Sequence, residues 1–377
     1  MTIATLAQLA DPALAPRLVV KVGSALLVGA DGEPRRAWLA ALVAELAAAR
    51  ARGQQVIVVS SGAIALGARR LGLARGGRGS LADAQAAAAV GQIALAGLWA
   101  ELFAAHGATA AQVLLTLDDL EDRRRWLNVT ATLGTLLARG AVPVINENDT
   151  VATEEIRFGD NDRLAARVGQ AAEASAVLLL SDIDGLYDRD PRAAGATRIP
   201  VVRRVTPDIH AMATAGSSSG LGSGGMTSKL QAAEIAAMAG MALAIIDGRP
   251  EAPVARAFDT GSGTLFLARP HKGARKAWLG GRLRMRGFLH VDAGAAAALA
   301  QGASLLAAGV VRVEGQFVRG DAIAVVGPAG DVLARGLSEY DAVESAALAG
   351  RHSRDHAEIL GYAPRSALIH RDQLVLV

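Results

Sequence analysis

Over its first 270 residues the chain alternates two patterns. Short, mainly apolar runs, beginning with Leu18 to Val22 and Val56 to Ser60, have the length of strands and no alternating polar face. Longer Ala- and Leu-rich segments separate them and predict helices. These helices fall at 34–52, ending before Gly53, from about Ile64 onward, and at roughly 80–106. Strands follow near 110–115 and 142–146, with a helix across 121–139 between them, and Val177 to Ser181 and Ala242 to Ile246 are two more apolar strands. Strands that are apolar throughout are buried on both faces. The alternation therefore predicts an α/β domain with a largely parallel sheet covered by helices on both sides. Ligands of such sheets bind beyond the carboxyl ends of the strands. Four polar groups sit at strand ends there: Lys21-Val22-Gly23-Ser24, Ser60-Ser61-Gly62, Asn146-Glu147-Asn148-Asp149 and Ser181-Asp182.

The pattern changes after residue 268. A basic, glycine-containing linker at 269–282 leads into short strands near 283–291, 310–326 and 332–337, with a small helix at about 293–301. Arg319-Gly320-Asp321 and Gly327-Pro328-Ala329-Gly330 are turn signals. Residues 283–377 thus read as a second, small β-rich domain, which agrees with the two domains expected of 377 residues.

Composition narrows the chemistry. The chain has no cysteine, which excludes disulfides and thiolate metal sites and suits a reducing cytoplasm. The N-terminus carries Asp11 and no basic n-region, so it does not read as a secretory signal. A long uncharged stretch, Ala84 to Ala100, contains Gln85 and Gln92 and reads as too short and too weakly apolar for a membrane span. A soluble, cytoplasmic protein is the expectation. Charge is uneven: cations and acids balance through residue 270, and the formal +3 comes entirely from the remainder. Lys272, Arg275, Lys276, Arg282, Arg284 and Arg286 form a stripe that holds no acid. It reads either as a polyanion-binding surface or as a solvated linker and charged edge strand.

Lysine usage is the sharper signal. Of 39 cationic residues only Lys21, Lys229, Lys272 and Lys276 are lysine, and the first two sit in glycine-rich segments. An ammonium is a compact point charge that fits between phosphate oxygens, whereas a guanidinium is a planar fork. Two phosphate-handling positions are implied, against the plainer reading of biased codon usage. The stretch Gly220 to Gly225 matches G-x-G-x-x-G, with Asp247 near the spacing of a ribose-binding acid, but no strand precedes it, so a dinucleotide fingerprint is rejected. Leu230 after Lys229 rules out a Walker A loop. A loop that runs into a helix beginning near Met226 remains, and its backbone amides favour phosphate. Asp160-Asn161-Asp162 starts another helix near Arg163; one such residue suffices as a cap, so three imply further work, such as an acid that orients both lysines. His352 and His356 are spaced to share a helix face, but the metalloprotease Glu and a third ligand are absent, so a structural role is expected.

Together these motifs resemble the glutamate 5-kinases of the amino-acid kinase superfamily. The resemblance rests on V-V-K-V-G-S at 19–24, V-S-S-G-A-I-A at 59–65, V-P-V-I-N-E-N-D at 142–149, F-G-D-N-D at 158–162, S-D-I-D-G-L-Y-D-R-D-P-R at 181–192 and G-S-G-G-M-T-S-K-L at 222–230. It implies a three-layer αβα sandwich over 1–268 that transfers the γ-phosphoryl of ATP to the side-chain carboxylate of L-glutamate, with Mg²⁺, as the first step of proline synthesis. By the family pattern Lys21 and Lys229 contact the transferring phosphate and Asp162 holds them. Ser61, Gly62, Ala63, Asp149 and Asn161 bind glutamate. Lys21, Gly23, Ser24, Ser181, Asp182, Ser223, Gly224, Gly225, Met226, Thr227, Ser228 and Lys229 bind nucleotide, and no protein metal ligand is assigned. Ala25 departs from the pattern, which usually has a second hydroxyl there. The C-terminal domain resembles a PUA domain through Ala334 to Tyr340; such domains often bind RNA, and the resemblance fixes no RNA role here. Homo-oligomers and inhibition by proline are common in the family.

Overall fold

The computed structural model describes residues 3–29, 31–151, 161–215, 225–269, 285–362, 365 and 367–377. The chain divides into two compact units, Met1–Pro270 and His271–Val377.

In the first unit the strands are β1 (Arg17–Val22), β2 (Gln55–Ser60), β3 (Ala110–Leu115), β4 (Val142–Glu147), β5 (Ala176–Ser181), β6 (Val201–Val202), β7 (Ala242–Asp247) and β8 (Thr264–Phe266). They form one sheet in the order β3-β4-β2-β1-β5-β7-β8-β6. Every pairing is parallel except β7 with β8. The helices are α1 (Ser24–Leu27), α2 (Arg36–Ala51), α3 (Ala63–Leu71), α4 (Leu81–Ala104), α5 (Leu117–Glu121), α6 (Arg123–Ala138), α7 (Asn161–Ala171), α8 (Pro207–Ala215), α9 (Met226–Met238) and α10 (Pro253–Thr260). The helix predicted across 121–139 is α6, capped by the Asp122 side chain, which accepts from Arg125 N–H; the short α5 before it is not predicted. The short strands β6 and β8 carry too few residues to show a period.

The strand alternation separates two apolar faces. Leu18, Val20, Val56, Val58, Leu178 and Ala244 pack with Trp38, Leu42 and Leu46 of α2, with Leu95, Trp99 and Phe103 of α4, and with Phe258 of α10. Val19, Ile57, Val59, Val177, Leu179 and Ile245 are equally buried on the other face, where α7 and α9 lie. Helices α3 and α4 cross in backbone contact. A Cβ on Gly67 would lie 1.7 Å from Ala87 O, and one on Gly91 1.8 Å from Ala63 O, so only glycine fits at either position.

Helix α4 corrects one sequence expectation. It runs for 24 residues, about 36 Å at 1.5 Å per residue, and by length and composition alone is apolar enough to cross a membrane. In the fold, Ala84, Ala87, Ala88, Gly91, Leu95, Leu98, Trp99 and Phe103 form its buried side.

The second unit is a five-stranded sheet, with β9 (Gly287–Val291), β10 (Val310–Gly315), β11 (Ala322–Val326), β12 (Val332–Leu337) and β13 (Leu374–Leu376) in the order β10-β9-β11-β12-β13. Only β9 and β11 pair in parallel. Leu289, Val291, Leu299, Phe317, Ile323, Val325, Tyr340 and Ile369 form its core. The expected strand at 310–326 is two strands, broken around Gly320, whose φ of 92° suits glycine. His352 and His356 do not share a helix face. His352 precedes a 3₁₀ turn at Ser353–Asp355, and His356 opens the next short helix, buried, with Nε2 facing Arg351 O at 3.4 Å. Of the basic stripe, Lys272, Arg275, Lys276, Arg282 and Arg284 lie outside the described residues.

Candidate active site

Because β4, β2, β1, β5 and β7 run in parallel, their carboxyl ends share one rim. Lys21 is the penultimate residue of β1. Its side chain turns to the face covered by α7, where its Nζ lies 2.7 Å from Asp162 Oδ1. Lys229 is on the first turn of α9, and its Nζ lies 2.9 Å from the other oxygen, Asp162 Oδ2. Ser228 Oγ lies 3.4 Å from that same oxygen. Asp162 is the second residue of α7 and has no exposed surface. The packing of α7 on β1 and α9 therefore delivers one carboxylate to two ammonium groups that are more than 200 residues apart in sequence. Burial alone would push the Asp162 carboxyl up, but Lys21 and Lys229 override it and hold it well below the usual carboxylate range.

One residue earlier, Asn161 begins a second polar cluster. Its amide nitrogen donates towards Ser60 O at 2.9 Å, Ser61 Oγ at 2.8 Å and Asn146 Oδ1 at 3.0 Å. A main-chain carbonyl only accepts, so Ser60 O fixes which way the amide faces. Asn161 Oδ1 is then left buried, with no donor among the described residues. Gly62 caps α3 with φ 107° and no side-chain cap, so the chain turns sharply from Ser61 into the amides at Ala63. Asp149, just past β4, lines a cavity of about 330 Å³ with Gln92, Ile93, Gln112, Leu114 and Asn148. Burial pushes its carboxyl up to about 6, a rise that Arg78 only partly offsets.

Beyond β5, Ser181 Oγ lies 3.2 Å from Asp182 Oδ1. Ser181 pairs with Asp247 of β7, and Gly248 N–H donates to Ser181 O at 2.8 Å. Gly23 caps α1, Ser24 is its first residue, and both are partly exposed at the rim. Gly225 caps α9 without a side-chain hydrogen bond, and Met226, Thr227 and Ser228 make its first turn. Ser223 and Gly224 lie outside the described residues, as does Asp160.

The structure thus gathers Lys21, Asp162, Ser228 and Lys229 at one point and Ser61 and Asn161 beside it. Asp149, Ser181 and Asp182 lie along the same rim with no direct bond to that point among the described residues. Sequence reading leaves out Ser60, Asn146, Gln92 and Trp99 as site residues. Asn146 could have been found inside N-E-N-D, whereas Gln92 and Trp99 lie in an Ala-rich helix with no local signature.

The chain is similar to known proteins along its whole length. Residues 16–247 match the amino acid kinase family and residues 287–360 match the PUA domain. Glutamate 5-kinase of Novosphingobium aromaticivorans is 79% identical over 377 residues, the whole of both chains. Glutamate 5-kinase of Sphingopyxis alaskensis is 60% identical over 97% of this chain and 99% of its own. That of Zymomonas mobilis subsp. mobilis is 54% identical over 97% of this chain and 92% of its own. With a family match over more than half its length and relatives along all of it, the chain belongs to the amino acid kinase family, on its glutamate 5-kinase branch, with a PUA domain at its C-terminal end.

Proposed function

We infer that the chain transfers the γ-phosphoryl group of ATP to the side-chain carboxylate of L-glutamate. An oxygen of that carboxylate forms a bond to the γ-phosphorus, the bond to the β,γ-bridging oxygen breaks, and ADP leaves with γ-glutamyl phosphate as product, the first step of proline biosynthesis. The observation that carries this reading is the pair of lysine ammonium groups fastened to opposite oxygens of Asp162, one residue from the Asn161–Ser61 cluster.

A carboxylate is nucleophilic at neutral pH without a base, so the reaction needs no activated hydroxyl. Its difficulty is bringing an anion up to a polyanion, which positioning and fixed positive charge overcome. Lys21 and Lys229 meet the phosphoryl oxygens, and Asp162 keeps both ammonium groups charged and aimed. Gly23, Ser24 and the amides from Ser223, Gly224, Gly225 and Met226 through Thr227 and Ser228 line the phosphate chain, while Ser181 and Asp182 meet the nucleoside. Asp149 and Asn161 Oδ1 accept from the glutamate ammonium, and Ser61, Gly62 and Ala63 donate to a carboxylate.

Magnesium fits this donor set as a cation carried on the phosphates. Both Asp162 oxygens are taken by lysines, and no group of three or more His, Asp or Glu able to hold a metal occurs among the described residues. When bound it would neutralise charge on the transferring and leaving phosphates. We further assign residues 1–268 as the catalytic domain, 269–282 as linker and 283–377 as the PUA-like domain. We place the protein in the cytoplasm, as a homo-oligomer open to inhibition by proline, with RNA a candidate partner of the PUA-like domain.

The test is release of ADP against a panel of acceptors, with hydroxylamine present to trap an acyl phosphate as its hydroxamate. L-Glutamate should support turnover and give the γ-hydroxamate. Equal or greater turnover with L-aspartate or N-acetyl-L-glutamate, or ADP release without hydroxamate, would overturn the reading.

A further inference from the structure

Helix α4 contributes no residue to the assignments above, yet Ser60, Asn146 and Ala63, which flank Ser61 and Asn161, are each held against it. Trp99 is fully buried, and an indole N–H there needs an acceptor. It donates to Ser60 Oγ at 3.0 Å, and Ser60 Oγ in turn lies 3.2 Å from Ser61 O. Two helical turns earlier on the same side, Gln92 Oε1 accepts from Asn146 Nδ2 at 2.8 Å. Asn146 Oδ1 receives Glu147 N–H at 2.9 Å and Asn161 Nδ2 at 3.0 Å. Next to Gln92, Gly91 is in backbone contact with Ala63 at the start of α3. One rigid helix therefore sets the ends of β2 and β4 and the start of α3 relative to one another.

Tracing donors and acceptors through this network shows its consequence. The Ser60 hydroxyl is occupied in both directions. The Asn146 amide is fixed by Gln92 on one side and by Glu147 N–H on the other. The two Asn161 N–H groups are shared among Ser60 O, Asn146 Oδ1 and Ser61 Oγ; since an amide nitrogen only donates, the Ser61 hydroxyl keeps its own proton for an acceptor, and Asn161 Oδ1 is left for a donor. The cluster therefore presents one hydroxyl donor and one buried carbonyl acceptor side by side, a pattern that fits the carboxylate and ammonium of a zwitterionic amino acid.

We infer that α4 is the template of the acceptor cradle, and that Gln92 and Trp99 are positioning residues that fix the hydrogen-bond polarity with which Ser61 and Asn161 meet the amino acid. This rests on the assignment of glutamate to that cluster. Gln92→Met keeps length and removes the acceptor. Trp99→Phe keeps an aromatic ring in the core and removes the donor. Each should raise the KM for L-glutamate about tenfold, the size of one hydrogen bond, with the KM for ATP held within about twofold. A role confined to stability would lower the melting temperature and leave the glutamate KM in place. An unchanged glutamate KM in Gln92→Met, or a parallel rise of both KM values, would overturn the inference. Wild-type turnover measured alongside separates the two ideas. If the wild type does not phosphorylate glutamate, the functional reading fails. If it does and the variants match it, only the role of α4 fails.

Discussion

Replacing Asp162 by Asn removes one negative charge from between two buried ammonium groups and changes almost nothing else in shape. At separations of 2.7 and 2.9 Å, each ion pair is worth about 6 kcal/mol of gross attraction at an effective dielectric of about 20. Desolvation cancels much of that, but breaking a buried pair from one side costs about 3–5 kcal/mol because the remaining charge has no partner. Both cations lose the carboxylate they share here, so Asp162→Asn should fall within that range. The Asp162 carboxyl is held below its unfolded value, so its contribution is fully present above the ordinary carboxylate range and disappears only as pH falls through the depressed value. Urea unfolding at pH 7 should therefore register the whole loss. Turnover should drop by at least ~10²-fold, as when a preorganised donor is removed. Adding Lys21→Met to Asp162→Asn removes one of the two buried cations that now face each other and should recover part of the lost stability. A double variant less stable than Asp162→Asn alone, or near-normal turnover in that single variant, would refute the reasoning.

Asp149 sets a pH dependence: its carboxyl titrates at about 6 in the free protein, so kcat/KM for glutamate should fall about tenfold per pH unit below that value, while that for ATP falls less. Asp149→Ala should raise the glutamate KM far more than the ATP KM, and equal effects on the two would argue against an ammonium contact. Gly91→Ala would place a Cβ 1.8 Å from Ala63 O; because backbone is what must move, it should cost about 1–3 kcal/mol of stability and raise the glutamate KM, and a variant as stable as wild type would contradict the close α3–α4 crossing.

The strands of the kinase unit were legible because burial on both faces removes polar residues from them, as in β5 and β7, and such runs have few other readings. The meeting of Lys21 and Lys229 was legible for an unusual reason: arginine replaces lysine almost everywhere else, so the surviving lysines stand out. The supports of the cluster were not legible. Gln92 and Trp99 act across 54 and 39 residues of sequence, and nothing local distinguishes them from other residues of an apolar Ala-rich helix. The apolar character of α4 misled in a similar way. Its small residues serve a close crossing with α3, which composition expresses only as weak hydropathy. β6 and β8 escaped notice because two or three residues form no period, and they exist through pairing with each other and with β7.

The central claim is that compact ammonium groups, rather than positive charge in general, straddle the transferring phosphoryl. Lys229→Arg keeps the charge and changes its shape, so turnover of this variant at saturating L-glutamate and ATP tests the claim most directly. The expected result is a loss of at least ~10²-fold in kcat with the fold intact. Turnover close to wild type would contradict it.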